Sequence, residues 1–159
     1  MEQSRYPDSK NNDSIEEGKE YQDLVIIECL RRGIPVSTFS SKKYQLEKGE
    51  GITRQEIKLD DWCTTSDRLS IETDERIAID RSWVKSGIYA DDNSIWYIQG
   101  NQYIVFIFSK KILRLLHESL RNGQPKYERK EELTLRSFYL PFEDAKKYSD
   151  FWFEIKDTP

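Results

Sequence analysis

Histidine is nearly absent from this chain: His117 stands alone, beside only two cysteines, Cys29 and Cys63. Neither cysteine sits in a CxxC or CxxH spacing, so the usual zinc ligand sets are excluded. A disulfide between the two would not persist in a reducing compartment. Any divalent ion would therefore have to be held by oxygen, which means magnesium, manganese or calcium. Long apolar runs are missing as well. No stretch could span a bilayer and no apolar signal region opens the chain, so a soluble, cytoplasmic protein without a membrane partner is expected. Internal repeats are absent.

What is present is charge and aromatic surface. The chain has 159 residues, 34% of them charged, 36% hydrophobic and 13% aromatic, which suits a single globular domain with a polar exterior. A net charge of -4 argues against a nucleic-acid coat over the whole molecule. Basic residues are unevenly spread, however: Lys110, Lys111, Arg114, Arg121, Lys126, Arg129 and Lys130 crowd one region. A local patch matters more for phosphate contact than the total does.

Taken in order, residues 1–13 read as a loose polar arm, and the domain proper as 14–159. Ser14 to Glu17 has the form of a capping box, opening a helix that runs to Arg32 and stops at Gly33. Tyr21, Leu24, Ile27 and Leu30 fall on one side of it. Val36 to Phe39 and Tyr44 to Leu46 read as short strands, followed by strands over Arg54 to Asp60 and Asp67 to Thr73, the latter with Leu69 and Ile71 inward. Asp80 to Asn93 looks irregular. Ile95 to Gln99 and Tyr103 to Phe108 form a hairpin about Gly100-Asn101, and the second of these strands is apolar enough to be covered on both faces. Ser109 caps a helix with Ile112, Leu113, Leu115, Leu116 and Leu120 on its apolar side, stopped at Asn122-Gly123. A strand over Leu133 to Leu140, a short helix over Pro141 to Tyr148 and an aromatic tail, Phe151-Trp152-Phe153, docked on the core complete an α/β arrangement about a mixed sheet.

Within that frame the stretch from Gly49 to Asp61 carries the densest chemistry. Alternate side chains of a strand share a face, so Glu56, Lys58 and Asp60 project together while Ile57 and Leu59 turn inward. Converging carboxylates repel and resist burial, and a cation relieves both costs. Glu-x-Lys occurs four times here, at Glu17, Glu56, Glu128 and Glu154, so the triplet alone says little. Only the one at Glu56 is expected on a strand inside a sheet, with an acid shortly before it and another immediately after. Charges decorating a solvent-facing sheet would give the same pattern.

The order of Glu20 on a first helix, an acid-bearing bend at Glu50, Gln55-Glu56-Ile57-Lys58-Leu59-Asp60 and Asp67-Arg68-Leu69-Ser70-Ile71-Glu72 resembles the PD-(D/E)xK nuclease superfamily, its small phage and mobile-element members above all. Ser86-Gly87-Ile88-Tyr89, Trp96-Tyr97-Ile98-Gln99-Gly100 and Phe106-Ile107-Phe108-Ser109-Lys110-Lys111 extend the likeness across Glu20 to Leu116. The resemblance implies a restriction-endonuclease-like core, a central mixed β-sheet flanked by helices, and hydrolysis of DNA phosphodiester bonds with Mg2+ or Mn2+. It would make Glu56 a metal ligand, with the Ile57 carbonyl, and Lys58 the group that orients or deprotonates the attacking water. The preceding acid of the family is usually an aspartate after proline; here Glu50, or else Glu47, takes its place. Glu20, or else Glu28, would be the carboxylate of the first helix. Lys110, Lys111 and Arg114, at the start of their helix, are expected to contact DNA phosphates. Nucleases of this kind often cut two strands as dimers, so a homodimer is allowed for. A catalytically inactive nuclease-like fold that binds nucleic acid or protein is the alternative, and a small interaction domain a third.

Overall fold

A computed structural model describes residues 9–37, 41, 43, 44, 47 and 53–156. Two sheets meet face to face, and the long first helix covers the outer face of one of them. Helix α1 (Ser9–Arg31) starts five residues before the expected cap, so Ser14 lies inside it and residues 9–13 belong to the helix. It ends where Gly33 takes φ +72, a conformation open to glycine at little cost. Its buried stripe is Tyr21, Val25 and Cys29, while Ile27 and Leu30 are exposed. The apolar positions of this helix were numerous enough to draw more than one stripe. Packing chose the one flanking Val25.

The first sheet has the order β1-β4-β5-β10, formed by β1 (Gln55–Leu59), β4 (Trp96–Gly100), β5 (Ile104–Ser109) and β10 (Phe151–Glu154). Strand β1 runs parallel to β4, and the other pairs are antiparallel, so the sheet is mixed as expected. Strand β5 supplies both cores by simple alternation. Val105 and Ile107 join Tyr21, Val25, Cys29, Ile57 and Ile98 under α1, while Ile104, Phe106 and Phe108 turn the other way. At the hairpin a Cβ on Gly100 would lie 2.0 Å from the Ile104 carbonyl oxygen, so no other residue fits there without movement. The aromatic tail does more than dock, because it is itself strand β10 at the edge beside β5.

The second sheet was not foreseen as a separate layer. Its order is β3-β2-β9-β8, from β2 (Arg68–Glu75), β3 (Val84–Lys85), β8 (Arg129–Glu131) and β9 (Leu135–Pro141). Leu69 and Ile71 face inward with Phe138 and Leu140. Between β1 and β2 lies a single turn, α2 (Cys63–Ser66), and between β3 and β4 a 3-10 turn over Gly87–Tyr89. Helices α3 (Lys110–Glu118) and α4 (Phe142–Tyr148) close the space between the sheets with Leu113, Leu116, Phe142 and Ala145. Helix α3 ends before Leu120, and Leu115 and Leu120 are exposed. Asn122-Gly123 is a hairpin turn and not a helix stop. Both residues have positive φ, 53 and 77, and they join β6 (Leu120–Arg121) to β7 (Gln124–Pro125), as expected of an Asn-Gly type I′ pair. The two strands expected between Val36 and Leu46 lie partly outside the described residues, and Val36 and Ser37 are not in a strand.

Candidate functional site

Strand β1 sorts its side chains as the alternation required. Ile57 is buried against α1, and Glu56 and Lys58 face the second sheet. Register carries the sorting onto β4, where Tyr97 stands beside Glu56 and Gln99 beside Lys58. Glu72 rises to meet them from the middle of β2. The Lys58 ammonium bridges the two acids, 3.1 Å from Glu56 Oε1 and 3.4 Å from Glu72 Oε2. Burial grades the three: the Glu56 side chain is 4% exposed, Glu72 14% and Lys58 35%. The lysine therefore forms the mouth of the site and Glu56 its floor.

A second ammonium lies below. Lys110, the first residue of α3, is 2% exposed, with its Nζ 2.7 Å from Glu56 Oε2 and 3.4 Å from Asp92 Oδ1. It donates a 3.0 Å hydrogen bond to the Gly87 carbonyl. The Glu56 contact is ionic and lacks hydrogen-bond geometry, so Glu56 Oε2 is buried without a hydrogen-bond donor. Gln99 Oε1 is likewise buried and undonated, because the amide nitrogen of Gln99 is spent on Asp60 Oδ2 and the Ser70 carbonyl. Ser86 donates its hydroxyl to Glu72 Oε1. Asp92 accepts from the Ser94 backbone N–H at 3.0 Å and its hydroxyl at 2.6 Å. Burial works against its charge, but those two bonds and Lys110 outweigh burial and hold its carboxyl below the usual range. Burial raises the Tyr97 phenol well above its ordinary value, and the charges of Glu56 and Glu72 push the same way.

The residues singled out from sequence separate in space. Glu56 and Lys58 come together with Glu72 and Lys110. Asp60 does not join them, because it lies just past β1 and accepts from the Ser70 backbone N–H at 2.8 Å and from Gln99. Glu20 sits on the far side of the sheet, in a cleft of about 540 Å³ with Glu17, Tyr21, Leu24, Leu59, Asp61 and Gln102; the inward turn of Leu59 puts that cleft opposite Glu56. Its substitute Glu28 is taken by Arg31 and Arg32 at 2.6 and 2.5 Å, and the hydrogen bond from Arg32 holds its carboxyl down despite burial. Glu50 lies outside the described residues. Glu47 has an exposed side chain, and its carbonyl accepts from Asn93 Nδ2 at 2.8 Å, next to Asp92. Ile57 keeps its side chain under α1, and its strand is the edge of the sheet.

Of the three cations expected on phosphate, Lys110 is the correction. Full burial in an ion pair removes it from any surface that could touch DNA. Arg114 is half-buried, with Nε bonded to the Ile88 carbonyl at 2.6 Å, and Lys111 is exposed. Glu72, Ser86 and Asp92 were missed as site residues. For Glu72 a signal existed, the acid closing Ile71-Glu72 on a strand, but nothing local says which acid of a charged chain meets Lys58. His117 is half-buried, its Nδ1 2.7 Å from the Tyr89 hydroxyl, away from the acid pair. Cys29 and Cys63 are both free and buried in different clusters, and burial pushes their thiols up to about 11 and about 12.

Among the described residues no three His, Cys, Asp or Glu side chains gather into a metal-binding group, and no helix is long and apolar enough to cross a membrane. Comparison of the chain with protein-family models, with curated proteins and with solved structures found no match in any of the three.

Proposed function

We propose that this chain is a metal-dependent nuclease that hydrolyses phosphodiester bonds in DNA, with Glu56, Lys58 and Glu72 around the reacting phosphate. The observation that carries the reading is the partly exposed Lys58 ammonium, held by one carboxylate from each of two sheets. Such a trio is costly to assemble, since partial burial of each charge loses solvation.

The donor chemistry fits a hard divalent ion. Every donor is oxygen. Glu56 and Glu72 already face the Lys58 and Lys110 ammoniums, so a bound ion would displace an ammonium from them. Gln99 Oε1, on the same sheet face, is buried without a hydrogen-bond donor. Glu56 and Glu72 would hold Mg2+ or Mn2+, joined, by the resemblance, by the Ile57 carbonyl and Glu50. A bound ion of this kind neutralises charge on the phosphate oxygens and lowers the pKa of a water. The protein's own groups do the positioning. Lys58, fixed on a strand and not a loop, would orient a water and offset charge on the pentavalent phosphate. Ser86 holds Glu72 in its rotamer, and Lys111, exposed at the start of α3, is available to a flanking phosphate.

The reading is tested by nicking of supercoiled and branched DNA in Mg2+ or Mn2+. Lys58→Ala should lower the cleavage rate by roughly 100-fold or more, the scale of losing one charge-stabilising group. Failure of the wild-type protein to cut any DNA or RNA form, together with no Mn2+ binding, would sink it.

One observation favours a second reading, a nuclease-like binding module. The oxygen of Glu56 that a metal would use already faces the Lys110 ammonium. Salt-sensitive DNA binding without hydrolysis would be its signature.

A further inference from the structure

The cleft on the far side of the first sheet takes no part in the Lys58 site, and its chemistry is of another kind. It measures about 540 Å³, within the range of small-molecule sites. Helix α1 forms one wall with Glu17, Glu20 and Leu24, and the end of β1 forms the other with Leu59 and Asp61. No basic side chain lines it. Among the described residues none of these three carboxylates takes part in an ion pair or a hydrogen bond. Exposed acids are ordinarily solvated and nothing more, so the three alone do not make a site. Tyr21 makes the difference. It lines the same cleft and is 4% exposed, and its hydroxyl is buried without a hydrogen-bond partner. Buried tyrosines ordinarily find one. That hydroxyl lies beside Gly100, the register partner of Leu59, since a Cβ on Gly100 would come within 3.1 Å of it. It therefore sits at the Leu59 end of the cleft. Burial above all raises its pKa well above the ordinary value, so it stays a neutral hydroxyl whose oxygen can accept from a cation.

We propose that this cleft binds a linear aliphatic polyamine, with its ammonium groups on Glu17, Glu20 and Asp61 and one amine donating to the Tyr21 hydroxyl. The methylene chain between the amines lies along Leu24 and Leu59. The carboxylates stand on two walls, and among the described residues no three acids gather closely enough to hold a metal ion. Charges spread in this way suit a cation whose own charges are spread along a chain. The apolar side chains between them offer nothing to a hydrated ion but cover methylene groups well. A net charge of -4 favours the approach of any cation. The inference does not rest on the nuclease reading, because the cleft lies on the opposite face of the sheet from Glu56, and either can fail without the other.

The test is calorimetric titration of the full chain with spermidine, at about 0.1 M salt to screen diffuse charge. Binding should saturate at one molecule per chain and resist Mg2+ at equal ionic strength. Tyr21→Phe removes only an unpartnered hydroxyl, so without ligand it should melt no lower than the wild type. It should nevertheless bind spermidine about 10-fold more weakly, the scale of one hydrogen bond to a charged group. Glu20→Gln should weaken binding by a similar factor, whereas Glu143→Gln, which removes an exposed carboxylate outside the cleft, should leave it unchanged. Equal losses for Glu20→Gln and Glu143→Gln would mean general attraction to an acidic protein and overturn the proposal. Absence of saturable binding overturns it too. So does a Tyr21→Phe protein that melts below the wild type, since its hydroxyl would then have a partner in the free chain. Binding of a tetralysine peptide but not of spermidine, with the same dependence on Tyr21 and Glu20, would overturn it in favour of a basic protein segment.

Discussion

Glycine 87 has no side chain to contribute, yet it governs the position of three that do. Its φ of +51 and its contact with the Glu72 backbone bring the 3-10 turn against β2. That contact aims the Gly87 carbonyl at Lys110 and places Ser86 on Glu72. Gly87→Ala would add a Cβ where the Glu72 carbonyl already is, in a backbone region L-residues enter at a cost of about 1–2 kcal/mol, with overpacking of about 1–3 kcal/mol in addition. A loss of at least about 2 kcal/mol is expected in urea unfolding. In any variant that still folds, the Lys58 site should be disturbed as well, seen as weaker Mn2+ binding. An unfolding midpoint equal to wild type would show that the turn is not constrained as described. At this scale the sequence was legible in part. Glu56 and Lys58 could be paired from alternation alone, because a strand's period is local. Lys110 could not be told from Lys111, since charge and spacing are the same for both and only packing buries one of them.

Elements were read best where a single periodicity ruled. Strand β5 is apolar at every position from Ile104 to Phe108 and proved to be covered on both faces, and its hairpin with β4 follows from Gly100-Asn101. Phe106, fully buried between the sheets, stacks beside Phe108 and Trp152 and tilts against Phe142. Phe106→Ala should cost about 3–5 kcal/mol, measured by chemical denaturation. Leu115→Ala, on the exposed side of α3, should change stability by less than about 0.5 kcal/mol. Comparable losses for the two would mean that α3 buries a different face. Where several stripes competed, as on α1, propensity could not rank them. The Asn122-Gly123 turn shows the same limit. The dipeptide marks a stop in the chain, and whether that stop closes a helix or a hairpin depends on the two-residue strands flanking it, which are too short to show a period.

Titration belongs to the molecule as a whole. On the acid side the lowered groups set the window. His117, depressed by burial and by Arg129 and Lys85, is easier to protonate unfolded, so its contribution is complete above its ordinary 6.5 and fades as pH falls below it. Glu28, Asp74 and Asp92, all depressed, add stability that is complete above the ordinary carboxylate values and lost below them. On the alkaline side the raised thiols of Cys29 and Cys63 have the opposite sign. The unfolded chain ionises them near 9, the folded chain only near 11 and 12, so stability is complete below 9 and falls as pH rises beyond it. The melting temperature should therefore hold a plateau between about pH 7 and 9 and decline on both sides, checked by calorimetry across pH. A decline beginning inside that range would contradict the burial of His117 or of the thiols.

By itself the sequence determined the scarcity of histidine and cysteine, the alternation of side chains along β1, β2 and β5, and the hairpin between β4 and β5. Each of these follows from composition or from a period of two within a few residues. The partner of Lys58 across the cleft, the removal of Glu20 to the far side of the sheet and the burial of Lys110 were decided only by the tertiary structure. They depend on how two sheets stack and on where a glycine lets the backbone come close, distances set between residues far apart in the chain, which no local pattern records.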